Sequence, residues 1–297
     1  MGREPLHLGC VMEPARMTRR RTAGELELAA AARAARPRSP PCRGGEALAM
    51  LVRRGMRPRL GRRDLPFPPD VDGPFADRIA ERLGHYAFRL LLRGAILAPG
   101  PFLPREATRY VSAEKARRLA EDLVELGLAV PAGGGRFRLR WRAKSFGGTL
   151  EWWVGRELTR RLGFDVDIGV RSGARGVGGD LDVVAAAEGK LVYVELKSSP
   201  PKHIAAAEVA AFLRRVRALR PDVTVFAVDT ALRLSDKVLP MLAAELARSG
   251  CTAVARRILR ENWEVAPHLY AVNARQDLIE NVCAAIADGF LSLGPTA

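Results

Sequence analysis

Two periodicities divide this 297-residue chain. From residue 146 onward, apolar runs of strand length alternate with longer stretches whose apolar residues recur every three or four positions. "TLEWWVGRELTRRLG" predicts a helix capped by Thr149, and "FDVDIGVRS" a strand. "LDVVAAAEGKLVYVELKSS" predicts two strands around a turn at Glu188, Gly189 and Lys190. A helix in "IAAAEVAAFLRRVRALR", a strand in "DVTVFAVDT" and a helix in "SDKVLPMLAAELARSG" follow. A strand in "HLYAVNA" and a helix in "RQDLIENVCAAIADGFLSL" close the chain. Alternation of this kind predicts an α/β fold with helices around a mixed sheet.

Residues 74–145 read differently. "PFADRIAERLGHYAFRLLLRG" carries Phe75, Ile79, Leu83, Ala87, Leu90 and Leu91 at helical spacing. Ser112 can cap a second helix, with Ala116, Leu119, Ala120, Leu123 and Val124 as its stripe and Gly127 as its stop. A hairpin follows, turning at Gly133 to Gly135, with Arg136, Arg138, Arg140 and Arg142 alternating against Phe137, Leu139 and Trp141. Period two puts these guanidinium groups on one face, where they can line phosphates. The order resembles a winged helix-turn-helix. That resemblance implies a recognition helix over Ser112–Leu126, with Arg117 and Arg118 off its apolar stripe, and a basic wing. Dimerisation, giving a homodimer, is the other use of such a module.

Residues 1–73 have no sustained periodicity, and Pro, Gly and Arg punctuate them. They are expected to form a disordered basic tail. The expected organisation is therefore a tail at 1–73, a winged-helix-like domain at 74–145 and an α/β domain at 146–297. Charge follows the same division. The first two segments hold 15 Lys+Arg against 8 Asp+Glu and 14 against 7, whereas the third holds 19 against 18. The whole chain carries +15, which points to a polyanionic partner, nucleic acid first. Cys10, Cys42, Cys251 and Cys283 show neither zinc-site nor disulfide-framework spacing. No apolar run reaches membrane-spanning length and no signal-peptide core opens the chain, so a cytoplasmic protein without membrane contact is expected. P-loop, GxSxG and dinucleotide fingerprints are absent, which argues against a metabolic α/β enzyme.

The candidate chemistry lies in "GGDLDVVAAAEGKLVYVELKSS", Gly178–Ser199. Period two sends Tyr193, Glu195 and Lys197 to one face of a strand that is otherwise apolar. A short hairpin brings Asp182 beside Glu195. Two carboxylates that close repel at neutral pH unless a cation sits between them. A hard divalent ion, Mg²⁺ (or Mn²⁺), suits such oxygen donors, and Lys197 adds a compact charge for a phosphate oxygen or an attacking water. The glycine-rich loop before Asp180 offers Arg171 and Arg175 to a nucleic-acid backbone.

This arrangement resembles the PD-(D/E)xK nuclease superfamily, the restriction-endonuclease-like fold. Its pattern is an acid on the first helix, an Asp at the start of a strand, then (D/E)xK on the next strand. Glu151, Asp182 and Glu195-Leu196-Lys197 match in that order, with Leu181 where the family has Pro. Glu157 could replace Glu151, and Asp180 could replace Asp182. Glu151 is favoured because it opens the helix, and Asp182 because it lies inside the strand. The segments are most similar to the nuclease domain of CRISPR-associated ancillary nucleases that carry a nucleotide-sensing CARF domain. Archaeal Holliday-junction resolvases and Mrr-type restriction enzymes are more distant. The match covers about residues 146–297, and no CARF domain is read upstream. It implies a Mg²⁺-dependent endonuclease whose metal is held by Glu151, Asp182 and Glu195, with Lys197 at the reacting phosphate and DNA favoured over RNA as substrate. The alternative is a catalytically inactive nucleic-acid-binding regulator or scaffold on the same fold.

Overall fold

The longest unbroken apolar runs become the middle of one sheet. Val223–Val228 (β7) and Leu269–Asn273 (β10) are buried along their whole length, and Lys190–Lys197 (β6) along all but its ends. Strands covered on both faces need no polar alternation. In this computed structural model residues 45–173, 178–253 and 255–294 are described. All fall within one compact unit, Arg43–Ala297.

The sheet has eight strands in the order β1-β4-β5-β6-β7-β10-β9-β8. Here β1 is Arg59–Leu60, β4 Asp165–Arg171, β5 Asp180–Ala187, β8 Arg256–Leu259 and β9 Asn262–Ala266. Strands β6, β7 and β10 run parallel, and antiparallel neighbours flank them on both sides. Gly147–Leu162 (α6) and Leu278–Ser292 (α9) bury Leu150, Trp153, Val154, Ile279 and Val282 against one face. Ala206–Leu219 (α7) and Val238–Arg248 (α8) bury Val209, Phe212, Leu213 and Leu242 against the other. The fold is thus α/β with helices on both faces of a large mixed sheet. Among the described residues no helix is long and apolar enough to cross a membrane.

Three features depart from the sequence expectations. Order begins well before residue 73. Glu46–Arg53 (α1) buries Leu48, Met50 and Leu51 under the sheet, and β1 adds an edge strand to β4. The backbone N–H groups of Arg57 and Gly61 donate to the carbonyls of Ser172 and Gly169, each at 3.0 Å. The apolar anchors of this segment are few and separated by Arg, Gly and Pro. Only docking on a preformed sheet orders them, so no local pattern announces them. Residues 1–44, the rest of the expected tail, lie outside the described residues.

The stretch 75–91 forms two helices rather than one. Gly73–Gly84 (α2) stops at Gly84, the chain extends at His85 (ψ 115°), and Tyr86–Leu97 (α3) begins. Pro104–Ala107 (α4), Ala113–Glu125 (α5) and the hairpin Ala129–Pro131/Phe137–Leu139 (β2, β3) complete residues 74–145. At Gly94 of α3 an added Cβ would lie 1.8 Å from the Ala107 carbonyl oxygen, so only glycine permits this crossing of α3 and α4. The paired part of the hairpin is shorter than the Arg136–Arg142 run. Arg136 and Arg142 instead donate to the Pro101 and Pro99 carbonyls, at 3.2 and 2.7 Å.

Packing also runs unbroken through the boundary expected at 145/146. One core joins Ile79, Leu83, Phe88 and Leu91 to Trp153, Val194 and Val225. The buried Arg89 donates to Asp229 at the end of β7 (3.0 Å) and to the Leu83 and Gly84 carbonyls (2.6 and 3.1 Å). Its guanidinium lies 4.6 Å from the Trp153 ring centre, and Arg93 reaches the other Asp229 oxygen at 2.6 Å. Removing one partner of such a pair leaves an uncompensated buried charge. Asp229→Ala should therefore lower stability by about 3–5 kcal/mol in urea unfolding. Adding Arg89→Met should restore most of that loss, and a single-variant loss below about 1 kcal/mol would contradict this role.

Candidate active site

The site is built where the sheet changes face. In β4, Val166 and Ile168 pack in the layer of α6, whereas Val170 packs in the opposite layer. Residues two apart in a regular strand share a face, so β4 switches between Ile168 and Val170. The residue between them is Gly169, at φ +58°, in the left-handed region glycine occupies freely. Its partner strand switches too: Val183 and Ala185 pack with α6, and Leu181 with the other layer. The register Ile168↔Val183 and Val170↔Leu181 sets Gly169 opposite Asp182. Gly169 thus leaves a gap in the sheet at the first candidate acid. A Cβ there would lie 3.4 Å from Glu151 Oε2, so Glu151 of α6 reaches that gap.

Asp182 and Glu195 face each other across β5 and β6, since Val183↔Val194 is the adjacent pair. Asp182 Oδ2 accepts the Leu196 N–H at 2.7 Å. Burial first, then the charges of Glu195 and Glu151, push its carboxyl well above the usual range, against the pull of the Leu196 N–H and Lys197. Burial and the charges of Asp180 and Glu195 push Glu151 up to about 7. These shifts require Glu151, Asp182 and Glu195 to share one electrostatic neighbourhood. Among the described residues Glu151 has neither an ion-pair nor a hydrogen-bond partner.

Glu195 is held quite differently. It is 2 % exposed, and both its oxygens accept from Arg215 Nη2 at 2.7 Å. Tyr193 donates its hydroxyl to Glu195 and accepts from Arg215 Nε at 2.9 Å. Lys197 Nζ lies 3.1 Å from Glu195 and 3.0 Å from Glu208. Burial opposes the charge of Lys197, but Glu195 and Glu208 outweigh it and hold the ammonium above its ordinary pKa. Arg215 and Glu208 are the residues sequence reasoning missed. Their signal was present: Glu208, Phe212, Arg215 and Leu219 fall on one face of α7 by helical spacing, with Arg215 inside the buried stripe and Glu208 at its half-exposed start.

Of the competing assignments, Glu157 lies apart in its own ion pairs, whereas Asp180 stays beside Glu151. Glu157 is buried but clamped by Arg160 and Arg161, each at 2.7 Å, away from the sheet switch. Asp180 is exposed and faces Arg171 Nε at 3.3 Å. Arg171 and Asp180 line a cavity of about 410 Å³ together with Glu151, Gly169, Arg62 and Arg63. Arg62 and Arg63 come from the segment expected to be disordered. Arg117 and Arg118 are exposed on α5 in pairs with Glu121 and Glu114. Arg138 and Arg140 are exposed on and beside β3, with Arg136 just before it. Arg175 lies outside the described residues.

Oxygen donors of this kind suit a hard divalent ion, and the unpartnered, partly buried Glu151 carboxylate fits one. Asp182 keeps one oxygen clear of its backbone hydrogen bond. Glu195 does not fit in the same way, because Arg215 engages both its oxygens. Accordingly, no group of three or more His, Cys, Asp or Glu among the described residues stands arranged to grip one ion. The donor chemistry fits and the side-chain geometry is that of a closed ion-pair network.

The fold and site together define an α/β protein with a carboxylate–lysine centre at a sheet switch. No family model matches the chain, and no curated protein sequence does. Among solved structures it is similar to protein VC1899 from Vibrio cholerae, at 15% identity and TM-score 0.45 over 80% of this chain and 62% of that one. It is similar to Can2 from Sulfobacillus thermosulfidooxidans, solved with cyclic tetra-adenylate, at 14% identity and TM-score 0.45 over 82% and 59%. The chain thus spans about three fifths of each. At these values neither likeness identifies a family or an activity.

The raised Glu151 carboxyl gives a signed test. Folded Glu151 holds its proton to about pH 7, against its ordinary 4.5, so the folded state binds more protons between those values. Stability from this group is full below pH 4.5 and is lost as pH rises through 7. With EDTA present, Glu151→Gln should raise stability at pH 8 by about 1–3 kcal/mol and change it little at pH 4.5, read from urea midpoints. Equal effects at both pH values would contradict the placement.

Proposed function

We propose that this protein is a metal-dependent endonuclease that hydrolyses phosphodiester bonds in nucleic acid, DNA favoured over RNA. One observation carries the reading: Glu151, Asp182, Glu195 and Lys197, matched in order to the PD-(D/E)xK pattern, lie around a single break in the sheet. Glu151 and Asp182 would hold Mg²⁺ or Mn²⁺, and Glu195 would join them on releasing an oxygen from Arg215. The ion, when bound, lowers the pKa of a water and offsets phosphate charge. Lys197 supplies a fixed positive charge beside the carboxylates, kept protonated by Glu195 and Glu208, and suited to a scissile phosphate oxygen. Arg215 and Tyr193 orient Glu195. Arg171 would meet the backbone at the mouth of the cavity, and Arg175, outside the described residues, would be a second backbone contact. Residues 74–145 would serve as a winged-helix-like nucleic-acid-binding module through Arg117, Arg118, Arg136, Arg138 and Arg140.

The second reading is a nucleic-acid-binding regulator without catalysis. The Arg215–Glu195 pair favours it, because a guanidinium already satisfies the carboxylate that the ion would need. Cleavage separates the two. Supercoiled plasmid and labelled DNA and RNA oligonucleotides should be cut in Mg²⁺ or Mn²⁺ and spared in EDTA. Asp182→Ala and Lys197→Ala should each slow cutting by about 10²–10³-fold. Binding without metal-dependent cutting, or cutting untouched by both substitutions, would overturn the nuclease reading.

A further inference from the structure

The near neutrality of residues 146–297 conceals a local concentration of charge. Arg233, Ser235, Arg257, Arg260, Glu261 and Arg275 line a cavity of about 500 Å³. All four arginines are exposed, and among the described residues none has an ion-pair partner. Three chain segments contribute them: the loop after β7, the β8–β9 hairpin and the segment after β10.

These segments are braced to one another. Buried Glu261 accepts the Leu234 N–H at 3.1 Å, Asn273 donates to the Leu232 carbonyl at 2.7 Å, and the Ala274 N–H donates to Thr230 at 2.9 Å. The Arg257 guanidinium lies 4.4 Å from the Trp263 ring centre. Stacking of that kind fixes the plane of the guanidinium and leaves its N–H edge for an anion. Glu261 is the single acid in the lining, and one of its carboxylate oxygens accepts a backbone N–H.

Sheet topology places this cavity on the same edge as the carboxylate centre. Lys197 pairs with Val228, and Val228 with Asn273, so the ends of β6, β7 and β10 form one row. Trp263 pairs with Ala271, which brings the Arg260–Glu261 turn level with that row. Three strand spacings separate Lys197 from the turn, about 14 Å.

We infer that the Arg233–Arg257–Arg260–Arg275 cavity is a phosphate-docking site that grips a nucleic-acid backbone about 14 Å from the phosphate held at Lys197. The inference rests on the nuclease reading for the identity of its ligand. These guanidinium groups, without ion-pair partners among the described residues, draw the flanking backbone onto the sheet edge and fix its register over the carboxylates.

The test uses the full-length chain in EDTA and a fluorescein-labelled 30-base-pair duplex, with binding followed by anisotropy from 50 to 300 mM NaCl. Arg233→Ser/Arg260→Ser should weaken binding about tenfold at 100 mM NaCl. It should also reduce the slope of log K against log salt by about 2. The charge-matched control Arg53→Ser/Arg248→Ser removes two arginines that are paired with Glu46 and Glu245, and it should shift neither value appreciably. All four residues of the test are surface positions, so circular dichroism should show unchanged folding. Equal losses in both double variants, or no loss in the first, would overturn the docking site while leaving metal-dependent cutting intact. Failure of the wild type both to bind and to cut would instead overturn the docking site together with the nuclease reading beneath it.

Discussion

A carboxylate inside a sheet is the constraint on which the rest turns. Burying an isolated charge costs far more than any one contact repays, so Glu195 needs partners on every side. Arg215, Tyr193 and Lys197 supply them from α7 and from β6 itself. The position of α7 against the sheet, the charge of Lys197 and the bracing by Glu208 all follow from satisfying that one group. The network is polar, closed and rigid, and it sets where Lys197 can present its ammonium.

Gly169 solves the complementary problem. Glu151 belongs to a helix on one face of the sheet, whereas Glu195 points toward the other. A regular strand between them would separate the two. The reversal of β4 and β5 around Gly169 and Asp182 opens a passage, and Glu151 reaches it because no side chain stands there. The strain of the turn falls on the one residue type that tolerates it. Electrostatics then records the result in the raised carboxyls of Glu151 and Asp182.

The large elements were legible in the chain because each carries its own periodicity. Strands β4 to β7 and the helices α6, α7, α8 and α9 stand where alternating or helical apolar spacing marks them. The β8–β9 hairpin escaped notice because "RRILRENWEVA" is short and charged, and β8 is an edge strand that needs little apolar surface. Segment α1–β1 escaped because its order is borrowed from β4 and β5. Glu151, Asp182, Glu195 and Lys197 could be singled out because charges within apolar runs are conspicuous. Arg215 could not be assigned a partner from sequence alone, since only the folded register of α7 on β6 brings it to Glu195. The arginine cavity was invisible for a related reason: its residues are far apart in the chain, and the surrounding acids cancel them in any count. At 145/146 composition changes while packing does not, and Arg89 and Asp229 tie the two parts together.

The proposed reading makes this cluster of acids a site for a hard divalent ion, with Arg215 as an internal counter-charge. Isothermal titration of Mn²⁺ into the full-length protein at pH 7.5 tests it most directly. The account predicts saturable binding at one site per chain, lost in Asp182→Asn and weakened in Glu151→Gln. Absence of binding heat in the wild type, or binding indifferent to both substitutions, would contradict it.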